Sequence, residues 1–469
     1  MIKITTAIAA FFLVISSFAQ IRLPAMLASN MVLQQQSAVK LWGWSLPNEK
    51  IYITTSWDNK TDSVTATRDA KWQLQIKTPT AGGPYRITFK GNNEIVLDNI
   101  LIGEVWLCAG QSNMEFSLQN GITEIKQELP VCYNPQIRFC TVLKTTAPYP
   151  QDDCKASWSI CDSNKLKSFS AIAYYYGKKL HAALNVPIGL ISSNWGGTGA
   201  EPWTPLNCIN EDTVLKNAAT KLYNSPEWPI TPGVTYNAMI APITNYNIAG
   251  TIWYQGESNT VAPASYKKLF TVMMQAWRTK WGYDFPFYYV QIAPFNYYGK
   301  NTGALIQEAQ TQSMAYKNVG MVVINDLVDN VYNVHPQNKH EVASRLANWA
   351  LAETYHQTTP AYKSPVYMQL QIQKDKAILS FKNVPSILVL KTVAKEEIYI
   401  AGKNKIFYAA TAKVDKDKLI VWCKEVPVPV AVRYAFSNMA IGNLFSEEGL
   451  PVTPFRTDDW PVDTGPAQQ

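Results

Sequence analysis

The sequence predicts an α/β protein built on a five-stranded parallel sheet, with a β domain on each side of it. Three observations predict this. Between residues 101 and 360, five short apolar runs alternate with stretches of helical periodicity, and strands buried on both faces read as continuous apolar runs. On either side of that region the pattern changes to short runs in which apolar and polar residues alternate between turn-forming clusters. The length of 469 residues is enough for about three domains.

Residues 1–19 read as a secretory signal peptide. Lys3 gives the positive start, Ala7 to Ile15 the apolar core, and Ser17-Phe18-Ala19 small residues at the cleavage site. The apolar run is shorter than the ~20 residues a membrane helix needs. The mature chain is therefore expected to be exported, periplasmic or extracellular, with no membrane span. Residues 20–100 read as a sandwich-like β domain. Ile51-Tyr52-Ile53-Thr54-Thr55 is β-rich, Trp72, Leu74 and Ile76 alternate with polar residues, and so do Tyr85, Ile87 and Phe89 before the turn Gly91-Asn92-Asn93.

In the region 101–360 the strands are expected at Val105–Ala109, Ile188–Ser192, Thr251–Gln255, Phe287–Ile292 and Met321–Asn325. Helices are expected over Ser170–Leu184, along the stripe Tyr266, Leu269, Phe270, Met273, Trp277 and Trp281 that Gly282 stops, over Leu305–Tyr316, and from Pro336 through Val342, Leu346, Trp349 and Ala350. Glu124–Lys165 lacks this regularity and reads as an insertion over the sheet. Residues 361–469 return to β patterning, with runs such as Met368, Leu370 and Ile372, then Ile378–Phe381, Ile398–Ile400, Ile406–Tyr408, Leu419–Trp422 and Val432–Phe436.

A net charge of +7 spread over scattered basic residues gives no nucleic-acid footprint. The seven cysteines leave at least one thiol unpaired. Cys132, Cys140, Cys154 and Cys161 cluster, and in an exported chain one or two disulfides are expected there, with connectivity open. No Cys/His spacing matches a metal site, so neither a metal nor another cofactor is expected.

The chemistry centres on Gly103-Glu104-Val105-Trp106-Leu107-Cys108-Ala109-Gly110-Gln111-Ser112-Asn113-Met114. An apolar strand runs into a turn, and Ser112 stands at the carboxyl end of that strand, where open α/β sheets bind ligands. A serine nucleophile needs a base and donors for the oxyanion. Among the four histidines, His335 alone falls between a strand-and-loop and a helix, at the same sheet edge, and is the favoured base. The group that orients it is open between Asp329, Asp326 and the uncharged Asn333. Two further strand-end turns suit oxyanion donors: Ser193-Asn194-Trp195-Gly196-Gly197-Thr198, through a backbone N–H, and Trp253-Tyr254-Gln255-Gly256-Glu257-Ser258-Asn259, through the Gln255 amide.

Gly110-Gln111-Ser112-Asn113-Met114, Trp195-Gly196-Gly197-Thr198, Trp253-Tyr254-Gln255-Gly256-Glu257-Ser258 and His335-Pro336-Gln337-Asn338-Lys339 together resemble the sialate O-acetylesterase family of SGNH-type hydrolases, in the family's order. The closing Pro454-Phe455-Arg456-Thr457-Asp458-Asp459-Trp460 is also similar. The resemblance implies a flavodoxin-like αβα sandwich with accessory β domains and metal-free hydrolysis of O-acetyl esters on sugars. It makes Ser112 the nucleophile, His335 the base, and the Ser112 N–H, Gly197 and Gln255 the oxyanion donors. The chain departs from the family at the acid. An aspartate usually stands two or three residues before the histidine, where this chain has Asn333 and Tyr332. The expected substrate is an O-acetylated sugar or glycan, with Trp195, Trp203 and Tyr254 as candidate stacking platforms. An acetylated plant polysaccharide such as acetylxylan, or sugar binding with weak catalysis, are the alternatives.

Overall fold

The computed structural model describes residues 20–393 and 397–465, so the expected signal peptide lies outside the described residues. The central sheet runs, in spatial order, Val319–Val322, Phe287–Val290, Gly250–Tyr254, Glu94–Gly110, Ile188–Asn194, Asn134–Val142 and Ala156–Cys161. All neighbours are parallel except the last pair, which is antiparallel. The five expected strands are all present. The five-stranded count is corrected: the segment expected to lie over the sheet extends it instead, by one parallel strand and one antiparallel edge strand. Arg138 concealed the first of these. It interrupts an apolar run formed by Ile137, Phe139 and Cys140, yet it is itself buried, donating from Nε to the Pro135 carbonyl at 2.7 Å and from Nη2 to Asn99 Oδ1 at 3.0 Å.

Period-two alternation assigns each strand to two cores. Leu107, Ala109 and Trp253 pack on one face with helix Pro263–Trp281, whereas Trp106, Cys108, Ile252 and Tyr254 pack on the other with helices Ala171–Leu184 and Lys339–Trp349. Ser170 caps the first of those helices by accepting the Ala173 N–H, and Gly282 ends the Pro263–Trp281 helix in the left-handed region. The last helix starts at Lys339 rather than Pro336, because Asn338 is its cap, accepting from the Glu341 N–H at 3.0 Å.

The strand Glu94–Gly110 belongs to two domains at once. Its first part pairs antiparallel with Gly82–Lys90 and parallel with Val32–Gln34, and its second part sits between Ile188–Asn194 and Gly250–Tyr254. The domain boundary expected near residue 100 therefore falls inside one continuous strand. A second small sheet, Ala38–Trp44 with Lys71–Lys77, completes the N-terminal module. The C-terminal residues form three antiparallel sheets around a separate core. They dock on the central domain through Arg456, which donates to both carboxylate oxygens of Glu308 at 2.8 and 3.0 Å, and through Asn438, which accepts the Gly303 N–H at 2.8 Å.

All seven cysteines are free thiols, which corrects the disulfides expected in the cluster. Cys140 faces one core and Cys132 and Cys161 the other, across the sheet strand that the sequence pattern concealed. No helix of the described residues is long and apolar enough to cross a membrane.

Candidate active site

The chain crosses from one side of the strand Glu94–Gly110 to the other between Ile188–Asn194 and Gly250–Tyr254, which makes a topological switch point at the carboxyl end of that strand. Gly110 closes the strand at φ 143°, and a Cβ there would stand 2.2 Å from the Tyr254 carbonyl oxygen. Only glycine allows that approach. Gln111 N–H then donates to the same carbonyl at 3.0 Å, and Ser112 opens the short helix Ser112–Glu115. As the first helical residue, Ser112 has no preceding turn to receive its N–H.

His335 arrives from the segment before helix Lys339–Trp349. Its Nε2 lies 2.9 Å from Ser112 Oγ, although the two residues are 223 positions apart. The ring rests on Phe116, with centroids 4.1 Å apart. Burial, and secondarily the charge of Lys339, push its pKa down to about 4. The ring is therefore neutral at pH 7, the form in which an imidazole can accept a proton.

The three candidates for orienting the ring lie elsewhere. Asp326 receives both Arg345 Nη1 and Nη2, at 2.8 and 2.6 Å. Asp329 is exposed and makes no hydrogen bond or ion pair with a described residue. Asn333 Oδ1 accepts the backbone N–H of His335 at 3.0 Å, so it shapes the loop and not the imidazole. No described residue bonds to His335 Nδ1.

Of the turns expected to carry oxyanion donors, the glycine turn lies against the serine. Gly196 packs so closely that a Cβ on it would stand 3.2 Å from the Ser112 Cβ, and its N–H is held by Glu115 Oε2 at 2.6 Å. The Gly197 N–H has no partner among the described residues, like that of Ser112. Gln255 departs from expectation. An amide has two N–H donors, and Gln255 donates to Asn259 Oδ1 at 2.8 Å and the Thr198 carbonyl at 3.3 Å, while its Oε1 accepts from Tyr266. Fully buried, it supports the Gly197 turn from below.

The aromatic expectations are corrected as well. Trp203 and Tyr254 are fully buried core residues. Trp195 remains at the rim, its indole N–H on the Glu227 carbonyl at 3.0 Å. Sequence reasoning missed Trp228, whose indole covers Gly197. With Leu222, Tyr223, Ile230 and Glu257 it walls a cavity of about 140 Å³ beside that turn. It also missed Glu115 and Lys144, paired at 2.5 Å, and the buried set Asn113, Glu257 and Lys339. Burial pushes the Lys339 pKa down to about 7 and that of Glu257 up. Among the described residues no group of three His, Cys, Asp or Glu side chains is arranged to hold a metal ion.

The sequence model of a family described as carbohydrate esterase, sialic acid-specific acetylesterase, matches residues 102–353. Sialate O-acetylesterases of Pongo abelii and Homo sapiens are each 28% identical to the chain over 409 residues, covering 79% of it and 78% of their own length. The crystal structure of a carbohydrate acetylesterase from Xanthomonas citri superposes with a TM-score of 0.86 at 33% identity, covering 94% of this chain and 100% of that one.

Proposed function

Because the chain belongs to the family of sialic acid-specific carbohydrate acetylesterases, we propose that it removes O-acetyl groups from sugars by a Ser112–His335 acyl-enzyme mechanism. The observation that carries the proposal is the 2.9 Å contact between His335 Nε2 and Ser112 Oγ, with the N–H groups of Ser112 and Gly197 left without a partner among the described residues. His335 takes the hydroxyl proton as Ser112 Oγ attacks the acetyl carbonyl. The oxyanion settles on the N–H groups of Ser112 and Gly197. The C–O bond to the sugar breaks, and the sugar leaves as an alcohol carrying the proton from His335. Water then attacks the acetyl-serine, giving its proton to His335; acetate departs and Ser112 regains its hydroxyl.

The sugar end has a reading of its own. The cavity beside Gly197 is lined by aromatic and aliphatic side chains with Ser258, Thr260 and Glu257 and has no cationic side chain among the described residues, and Lys144 is engaged by Glu115. This lining favours an uncharged acetylated sugar, as in a plant polysaccharide, over the carboxylate-bearing sialate. The signal-peptide pattern supports export. Hydrolysis of 4-nitrophenyl acetate by the wild type and Ser112→Ala tests the mechanism, and full activity in the variant would sink it. Acetate release from acetylated xylan and from acetylated sialic acid then tests the sugar, and faster release from sialate would reverse that reading.

A further inference from the structure

Three of the motif-bearing turns converge on one side chain. Asn113, the residue after Ser112, is fully buried. Its Nδ2 donates to Glu257 Oε1 at 2.6 Å and to the Val334 carbonyl at 2.9 Å, and its Oδ1 accepts from Lys339 Nζ at 2.6 Å. Lys339 is 1% exposed and stands 5.6 Å from the centre of the Tyr254 ring. Glu257 Oε2 is buried without a partner among the described residues. Val334 directly precedes His335. One amide thus ties the serine turn to the turn after Gly250–Tyr254 and to both ends of the His335 segment.

Two ionisable groups held in a buried site cost stability unless the geometry returns something. We propose that Asn113, Lys339 and Glu257 are positioning residues, a buried cross-link that holds His335 on Ser112 in place of the carboxylate a triad puts on the ring. The proposal rests on the reading of Ser112 and His335 as the reacting pair. A carboxylate both orients the imidazole and stabilises the imidazolium; the cross-link supplies only the first. The charged groups that face Lys339 are Glu257 and Glu124, and Lys339 is the cation that acts on His335. Its presence opposes the imidazolium, so its removal has two separable effects.

The test is the pH dependence of 4-nitrophenyl acetate hydrolysis by the full chain, comparing the wild type with Lys339→Met and with the double variant Lys339→Met and Glu257→Gln. The double variant leaves no buried charge unpaired and keeps the test available if the single variant does not fold. Loss of positioning predicts kcat ~10–100-fold lower, KM within about threefold, and an acid limb moved upward from about pH 4. Wild-type kcat with an unmoved limb overturns the proposal. So does a fall in kcat with an unmoved limb, which a purely structural role would give. If Ser112→Ala itself remains active, the reading of the reacting pair has failed; if only the Lys339 variants behave as wild type, the cross-link alone has failed.

Discussion

Gly197→Ala tests the proposed oxyanion role of its turn most directly, because the structure sets both of its costs. Gly197 has φ 79°, in the left-handed region, where any side chain costs roughly 1–2 kcal/mol. The added Cβ would stand 2.3 Å from Cδ2 and Cε3 of Trp228, well inside carbon–carbon contact distance. The indole is half-buried and the turn is held by Glu115 and Ser258, which accepts nothing from it but donates its Oγ–H to the Gly197 carbonyl at 2.9 Å. The clash therefore pushes the peptide as well as the ring. Displacing one oxyanion donor costs ~10²–10³ in kcat. The assay is steady-state hydrolysis of 4-nitrophenyl acetate, with Tm measured alongside. The expected result is a kcat loss of that order with Tm lowered by a few degrees, about 4 °C or less for a chain of this size. The double variant Gly197→Ala and Trp228→Ala relieves the clash and keeps the strain, so it should recover part of kcat. A single variant with wild-type kcat would refute the assignment of the Gly197 N–H to the oxyanion.

The other predictions concern acidity, docking, and the thiols. With its pKa near 4, His335 stays neutral well below pH 6.5, so the kcat/KM profile should hold its plateau to about pH 5; a midpoint between pH 6 and 7 would contradict the burial argument. The same depression means that the unfolded chain takes up the His335 proton first, so this residue's contribution to stability is present above pH 6.5 and is lost as pH falls toward 4. Arg456→Ala strips Glu308 of a two-point partner at a partly buried contact and should cost about 2 kcal/mol in urea unfolding, between the exposed and fully buried limits; no change in midpoint would show that the C-terminal domain docks through other contacts. Thiol titration in denaturant should count seven free cysteines in the protein kept reduced, with those in the two cores slow to react before unfolding; fast reaction of Cys108 or Cys140 in the folded protein would contradict their burial.

What could be read from the sequence was set by burial. The five runs at Val105, Ile188, Thr251, Phe287 and Met321 were legible because strands covered on both faces carry little but apolar side chains. The strand Asn134–Val142 was not, since a buried arginine is invisible to a hydropathy pattern. Ser112 and His335 could be paired from their places at strand ends, and they do meet. The direction of an amide cannot be read in this way, so Gln255 was assigned to a reacting centre when its N–H groups in fact face Asn259 and Thr198. Trp203 and Tyr254 were drawn toward the sugar by adjacency to motifs, and packing placed them in the core. Asn113, Glu257 and Lys339 all stand within the quoted motifs, yet an amide between opposite charges has no signature until the three turns are brought together.

The strand that ends at Gly110 has a mechanical meaning. The backbone passes from one module to the other without leaving the sheet, bending at Asn99 (φ 57°), where the pairing with Gly82–Lys90 shifts register, so the N-terminal module is not a tethered attachment with a distribution of distances. Anything fixed to that module, such as a dye, a bead or a solid support, stands at a set spacing from Ser112, as a mark stands on a ruler. Cutting the chain near residue 100 would leave Leu101–Gly103 without their partners Val32–Gln34, so the central domain should not be obtained as a soluble fragment by truncation there.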